Sequence, residues 1–203
     1  MPKPDFFARL GLVVVEQFLD VDLCQTLIKE ARSSVRAASL TYKEGKTSVD
    51  ENFRKANDAR VSMESRQLVH DLLLEIKPKL EEHFGVSLSG CQKPDFLTYK
   101  EGDFFELHRD NGEPHDPSCP ESLRRRKVSV VIFLNRQVEE YEPTGYSGGS
   151  LSFYGLIDRP EWKEYGFPLA GEPGLLVAFR SDTYHRVGPV THGERHTIAT
   201  WFI

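Results

Sequence analysis

Residues 96–110 read Phe96-Leu97-Thr98-Tyr99-Lys100-Glu101-Gly102-Asp103-Phe104-Phe105-Glu106-Leu107-His108-Arg109-Asp110. Two runs of aromatic and branched residues flank Lys-Glu-Gly-Asp, which has the composition of a turn between strands. The stretch closes on a histidine and a carboxylate two residues apart. Along a strand, residues two apart point the same way. His108 and Asp110 are therefore expected to project together, with Arg109 on the opposite face. An imidazole and a carboxylate so placed need one more donor to hold a metal.

The same pattern continues outward from this stretch. Short β runs broken by Gly, Pro and Asp clusters are expected at about 95–100, 104–110, 127–134, 149–154, 174–179, 183–187 and 196–202. Many short strands of this kind point to a sandwich or barrel. Long loops are expected between them at 111–123, 136–148 and 155–173. Upstream, residues 12–18 read as a strand. Asp20 is placed to cap a helix running to about Arg32, with Leu23, Leu27 and Ile28 on one face. Residues 33–62 are polar and irregular. A second helix is expected over 65–84, with Leu68, Leu72, Ile76 and Leu80 in register, Pro78 kinking or splitting it and Gly85 ending it. The reading is one domain, 1–203: a supporting strand and helices over 1–90, and a β core over 91–203.

Composition narrows the class. The chain has 203 residues, 26 basic and 31 acidic, for a net charge of −5. With 13 Phe, 7 Tyr and 2 Trp it is too aromatic to be disordered. The acidic balance argues against nucleic acid or an anionic membrane as the main partner. Cys24, Cys91 and Cys119 are far apart and form no disulfide or zinc pattern, so a reducing, cytoplasmic setting is expected. The apolar stretch Leu10–Val15 is too short for a signal core or a membrane span.

The third donor is His185, in another short expected strand. Two imidazoles and one carboxylate form the facial set that suits non-haem Fe(II) and leaves positions for co-substrate and dioxygen. His192 and His196 are its competitors. His192 falls in a turn, and His196 lies opposite Arg195 on the last strand. Arg195, Thr197, Ala199 and Trp201 share one face of that strand. A buried arginine there needs an anionic partner, and its fork fits a carboxylate.

These segments, in this order, resemble the Fe(II)/2-oxoglutarate-dependent dioxygenases, and within them the prolyl 4-hydroxylase-like branch. The resemblance covers residues 90–203 and also includes Val128–Asn135, Gly148-Gly149-Ser150-Leu151 and Pro173-Gly174. It implies a mainly β fold with flanking helices: a double-stranded β-helix, or jelly roll, with the N-terminal helices packed on one sheet. It implies His108, Asp110 and His185 as catalytic iron ligands. Arg195, Tyr99 and Thr197 become the 2-oxoglutarate site. It further implies Fe(II), 2-oxoglutarate and O2, with ascorbate as reductant. Hydroxylation would be coupled to decarboxylation of 2-oxoglutarate to succinate and CO2, with a peptide or protein substrate, peptidyl proline first. One departure stands out: related enzymes often carry a tyrosine at the position of Phe133, so one hydroxyl contact to the co-substrate is expected to be missing.

Other features have simpler readings. Glu106 and Trp201 are candidate substrate contacts at the site mouth. Arg124-Arg125-Arg126-Lys127 reads first as a solvated loop end. His115, Cys119 and Glu121 lie in a loop better read as a substrate lid than as a second metal site. The alternatives are a hydroxylase of a free amino acid or small metabolite, and a non-catalytic cupin-like binding module. The sequence leaves the oligomeric state open.

Overall fold

The computed structural model describes residues 4–203 apart from Arg36, Glu44, Gly45, Pro114 and Tyr141. From Asp95 onward seven strands pass alternately between two antiparallel sheets. Asp95–Tyr99, Val128–Phe133, Leu176–Arg180 and Arg195–Phe202 lie in the larger sheet. Phe104–His108, Leu151–Tyr154 and Tyr184–Val187 lie in the smaller one. This alternation is what winds a chain into the expected double-stranded β-helix.

Neighbours in the larger sheet run Leu12–Val15, Leu176–Arg180, Val128–Phe133, Arg195–Phe202, Asp95–Tyr99, Asn57–Ala59 and Ala37–Ala38. The smaller sheet runs Phe167–Leu169, Leu151–Tyr154, Tyr184–Val187, Phe104–His108 and Arg54–Lys55. Residues before 90 thus give strands to both sheets as well as helices. The segment 33–62, expected to be irregular, carries these short strands and a hairpin of Thr41–Lys43 with Lys46–Ser48. Strands of two or three residues have no readable period of their own. Pairing against a preformed edge holds them.

The larger sheet is covered on both faces, and its side chains sort accordingly. Val130, Ile132, Ile198 and Phe202 pack outward against Leu27, Leu73 and Leu80 of the helices. Leu97, Tyr99, Phe133, Val177 and Phe179 point inward against Leu151, Phe153 and Val187 of the smaller sheet. The helices are Val21–Ser33 and Met63–Phe84. Asp20 caps the first, accepting from the Leu23 N–H at 2.6 Å. The second is one continuous helix through Pro78, not two. Pro78 and Leu74, the residue whose carbonyl loses its helical donor, are both exposed. Gly85 ends this helix in the left-handed conformation, φ 63°, donating to the Glu81 carbonyl.

Further short strands fall within the expected loops, at Tyr146–Gly148 and Phe167–Leu169. Tyr146–Gly148 pairs with Val190–Gly193. Among the described residues, no helix is long and apolar enough to cross a membrane.

Candidate functional site

A cavity of about 750 Å³ opens between the sheets. His108, Asp110 and His185 line it together with Tyr99, Arg195, Thr197 and Trp201.

The opening stretch builds one end. Its turn is tied by the Asp103 carboxylate, which accepts from the Lys100 N–H at 2.9 Å. Gly102 supplies the positive φ of 80° that the turn requires. The returning strand ends at His108, with His185 directly opposite on the neighbouring strand. Asp110 is not part of that strand, contrary to the expectation of a strand over 104–110. It sits in the following turn, where its N–H donates to the Ser181 carbonyl at 2.9 Å. The turn, and not strand alternation, brings its carboxylate to the imidazoles.

The ligand atoms of His108, Asp110 and His185 all lie within 4.8 Å of one another. His108 Nε2 is 3.6 Å from one Asp110 oxygen, and His185 Nε2 is 3.6 Å from the other. The remaining ring nitrogens face backbone carbonyls: His108 Nδ1 at 2.7 Å from Glu106 O, and His185 Nδ1 at 2.9 Å from Thr183 O. A carbonyl can only accept, so each Nδ1 carries its proton. Each Nε2 lone pair is then left for a metal. Burial and the neighbouring His108 push the His185 pKa down to about 4, which keeps that ring neutral. Burial alone would raise Asp110. The flanking histidines and Arg126 outweigh it and hold the carboxyl well below the usual range, so it stays ionised. Two imidazoles and one carboxylate on a common focus fit Fe(II).

Arg195 forms the other end. It is 1% exposed and starts the strand Arg195–Phe202. Its guanidinium lies over the rings of Tyr99 at 5.1 Å and Phe133 at 5.2 Å. Nη1 donates to Thr197 Oγ1 at 3.1 Å. Nε and Nη2, the side of the fork that grips a carboxylate, have no partner in the protein. Among the described residues, no carboxylate forms an ion pair with it. Unpaired buried donors cost about 1–3 kcal/mol each. A dicarboxylate co-substrate would satisfy both, so the residues present fit that group.

Other expected residues separate. Trp201 lines the cavity, but the Glu106 side chain is exposed and outside it; only the Glu106 carbonyl serves the site. His192 is exposed beside Glu101 at 3.1 Å, and His196 faces away toward Thr98 at 3.2 Å. His115 and Glu121 are exposed while Cys119 is buried against Gly112, and among the described residues the three form no metal-binding group.

Two residues escaped the sequence reading. Arg126 is not part of a solvated run. It stacks on Trp201 at 3.5 Å and donates to Gln92 Oε1 at 3.0 Å and to the Asp110 carbonyl at 3.2 Å. Its position two residues before a strand that enters the core was the available signal. Tyr146 is fully buried and lies beside Arg195. Its Tyr-Ser-Gly-Gly context was visible, but nothing local says where the phenol points.

The comparisons with known proteins agree with this geometry. Residues 94–203 match the model of the 2OG-Fe(II) oxygenase superfamily. A PKHD-type hydroxylase of Sphingopyxis alaskensis is 31% identical over 171 residues, covering 81% of this chain and 69% of that protein. One from a Psychrobacter species is 32% identical over 108 residues, 53% of this chain and 36% of that protein. The chain thus spans only about a third of the length of that relative. A solved prolyl-4-hydroxylase from Pseudomonas putida superposes with a TM-score of 0.69 at 23% identity, covering 98% of this chain and 95% of that one. A prolyl hydroxylase from Trichoplax adhaerens, solved with a hypoxia inducible factor peptide, gives 0.70 at 16%, covering 98% and 88%. The chain belongs to the 2OG-Fe(II) oxygenase superfamily.

Proposed function

We propose that the chain is an Fe(II)/2-oxoglutarate-dependent hydroxylase whose substrate is a peptidyl proline. The carrying observation is that one cavity holds both a three-donor metal set and a buried arginine with its carboxylate-gripping edge unpaired. When bound, iron with 2-oxoglutarate and dioxygen supplies the oxidising chemistry, releasing succinate and CO2 as the substrate gains a hydroxyl.

The chain's own residues supply position. His108 and His185 would hold the metal through Nε2, each ring fixed by its Nδ1–H to a carbonyl. Asp110 supplies the third ligand and offsets metal charge. Arg195 anchors the distal carboxylate of the co-substrate, with Thr197 holding the guanidinium and Tyr99 packed against it. Leu97, Leu151 and Val187 line the same cavity with apolar surface and exclude water.

The peptide reading is supported by the stacked Arg126–Trp201 pair on the cavity wall. It offers a flat apolar surface for a pyrrolidine ring beside a cation for a peptide carbonyl. The Trichoplax neighbour's peptide motivates the same choice. Ascorbate is proposed as the reductant that maintains Fe(II), and the three free cysteines fit a reducing cytoplasmic compartment.

The test is turnover. The purified chain with Fe(II), ascorbate and 2-oxoglutarate is expected to form succinate, faster with proline-containing peptides, one of which gains the mass of one oxygen. A chain that binds Fe(II) and 2-oxoglutarate but never forms succinate, with any substrate offered, would be a binding module instead.

A further inference from the structure

The Arg195 guanidinium and the Tyr146 phenol lie side by side, and Arg195 Nε, Arg195 Nη2 and the Tyr146 hydroxyl make no hydrogen bond to any other group of the protein. They come from segments far apart in sequence, so their meeting is a property of the fold. Tyr146 is 0% exposed, and its backbone is pinned on both sides. Its N–H donates to the Arg136 carbonyl at 3.0 Å, and its carbonyl accepts from the Val138 N–H at 2.8 Å.

Two glycines shape the space for its ring. A Cβ on Gly171 would lie 2.3 Å from the Tyr146 hydroxyl and 2.6 Å from the Phe133 ring. A Cβ on Gly149 would lie 3.1 Å from Arg195 Cδ and 3.3 Å from Tyr146 Cε2. A Cβ at Gly171 would clash with the phenol and the Phe133 ring, and one at Gly149 would crowd Val190, Arg195 and Tyr146 together. Gly149 also has φ 59°, a conformation glycine adopts freely. The Phe133 ring, its centroid 5.2 Å from the guanidinium, packs there too and brings no hydroxyl.

We propose that Tyr146 is a co-substrate-binding residue: its phenol donates to the distal carboxylate held on the Nε/Nη2 edge of Arg195. The chain thereby supplies from residue 146 the hydroxyl that Phe133 lacks. This rests on the reading of Arg195 as the carboxylate anchor. The phenol is well suited to donate. Burial raises its pKa, and the adjacent guanidinium only partly offsets this, so it keeps its proton at neutral pH.

The inference is tested by anaerobic binding, with no turnover involved. Fe(II)-loaded wild type, Tyr146→Phe and Arg195→Met are titrated with 2-oxoglutarate and with 2-oxopentanoate, which lacks the distal carboxylate. The visible charge-transfer band of the chelate reports binding. Tyr146→Phe is expected to weaken 2-oxoglutarate about tenfold, as loss of one charge-assisted hydrogen bond does. It should leave 2-oxopentanoate unchanged. Gly171→Ala, which keeps the ring and crowds the hydroxyl, should weaken 2-oxoglutarate in the same selective way. Unchanged 2-oxoglutarate affinity in a folded Tyr146→Phe, with affinity lost in Arg195→Met, overturns the role of Tyr146 alone. Equal affinity in all three proteins overturns the anchor itself.

Discussion

His108 and His185 hang from strands of five and four residues in the smaller sheet, and Asp110 from a turn. Arg195 opens an eight-residue strand in the middle of the larger sheet. The metal end is oriented locally: each histidine is fixed by the carbonyl two residues before it. The arginine end is oriented globally. Beyond its own neighbour Thr197, it depends on Tyr99, Phe133 and the pair Tyr146 and Gly149, drawn from three separate segments. The difference teaches where tolerance lies. Changes to a metal ligand should remove chemistry and spare the fold, whereas changes around Arg195 act on binding and packing together.

The largest effect tests the first half of that contrast. Asp110→Ala is expected to lower succinate formation on the order of 10³-fold, because it removes the anionic member of the proposed ligand set. Its thermal midpoint should stay near that of the wild type. A collapse of the fold would show that the metal end is not self-contained. Arg195→Met comes next and probes the other half. The apparent KM for 2-oxoglutarate should rise roughly 100-fold, as when one partner of a buried charge pair is truncated. In the absence of co-substrate, thermal melting should show equal or greater stability. An apolar side chain of similar length then replaces a buried charge that has no protein counter-ion. A large loss of stability would mean that the guanidinium serves the fold first.

Arg126→Gln sharpens the boundary between the two ends. It breaks the stack on Trp201 and the donation to the Asp110 carbonyl. Iron affinity, measured by titration, should fall about tenfold, the size expected when a group that orients a metal ligand is lost. An unchanged affinity would confine Arg126 to the substrate wall and leave the metal end wholly local.

The same contrast explains what could be read from the sequence. His108, Asp110, His185 and Arg195 were legible because a fixed short spacing, or a place on a long strand face, carries their geometry. The strands after residue 90 were legible from composition, and Asp20 and Gly85 from capping chemistry. Tyr146 was not legible. Its role depends on room left by Gly149 and Gly171, which lie on either side of a long connection, and no local pattern encodes that meeting. Arg126 was hidden inside four consecutive cations, where charge dominates the reading and burial is invisible. The strands at 37–38, 54–55 and 57–59 were hidden because edge pairing, not their own alternation, makes them strands. Asp110 meets the two histidines as expected, but through its turn and not through strand alternation.

The smallest effect is the most discriminating for the local character of the metal end. Glu106 was expected to face the site mouth, yet its carboxylate is exposed and only its carbonyl meets His108. Glu106→Gln changes the side chain and leaves that carbonyl in place. Turnover and iron affinity should therefore stay within about twofold of wild type, the usual range for an exposed position. A fall of tenfold or more, with stability unchanged, would show that the carboxylate takes part in the site. His108 would then be oriented by charge as well as by the backbone, and the contrast between a locally fixed metal end and a globally fixed arginine end would lose its simplest support.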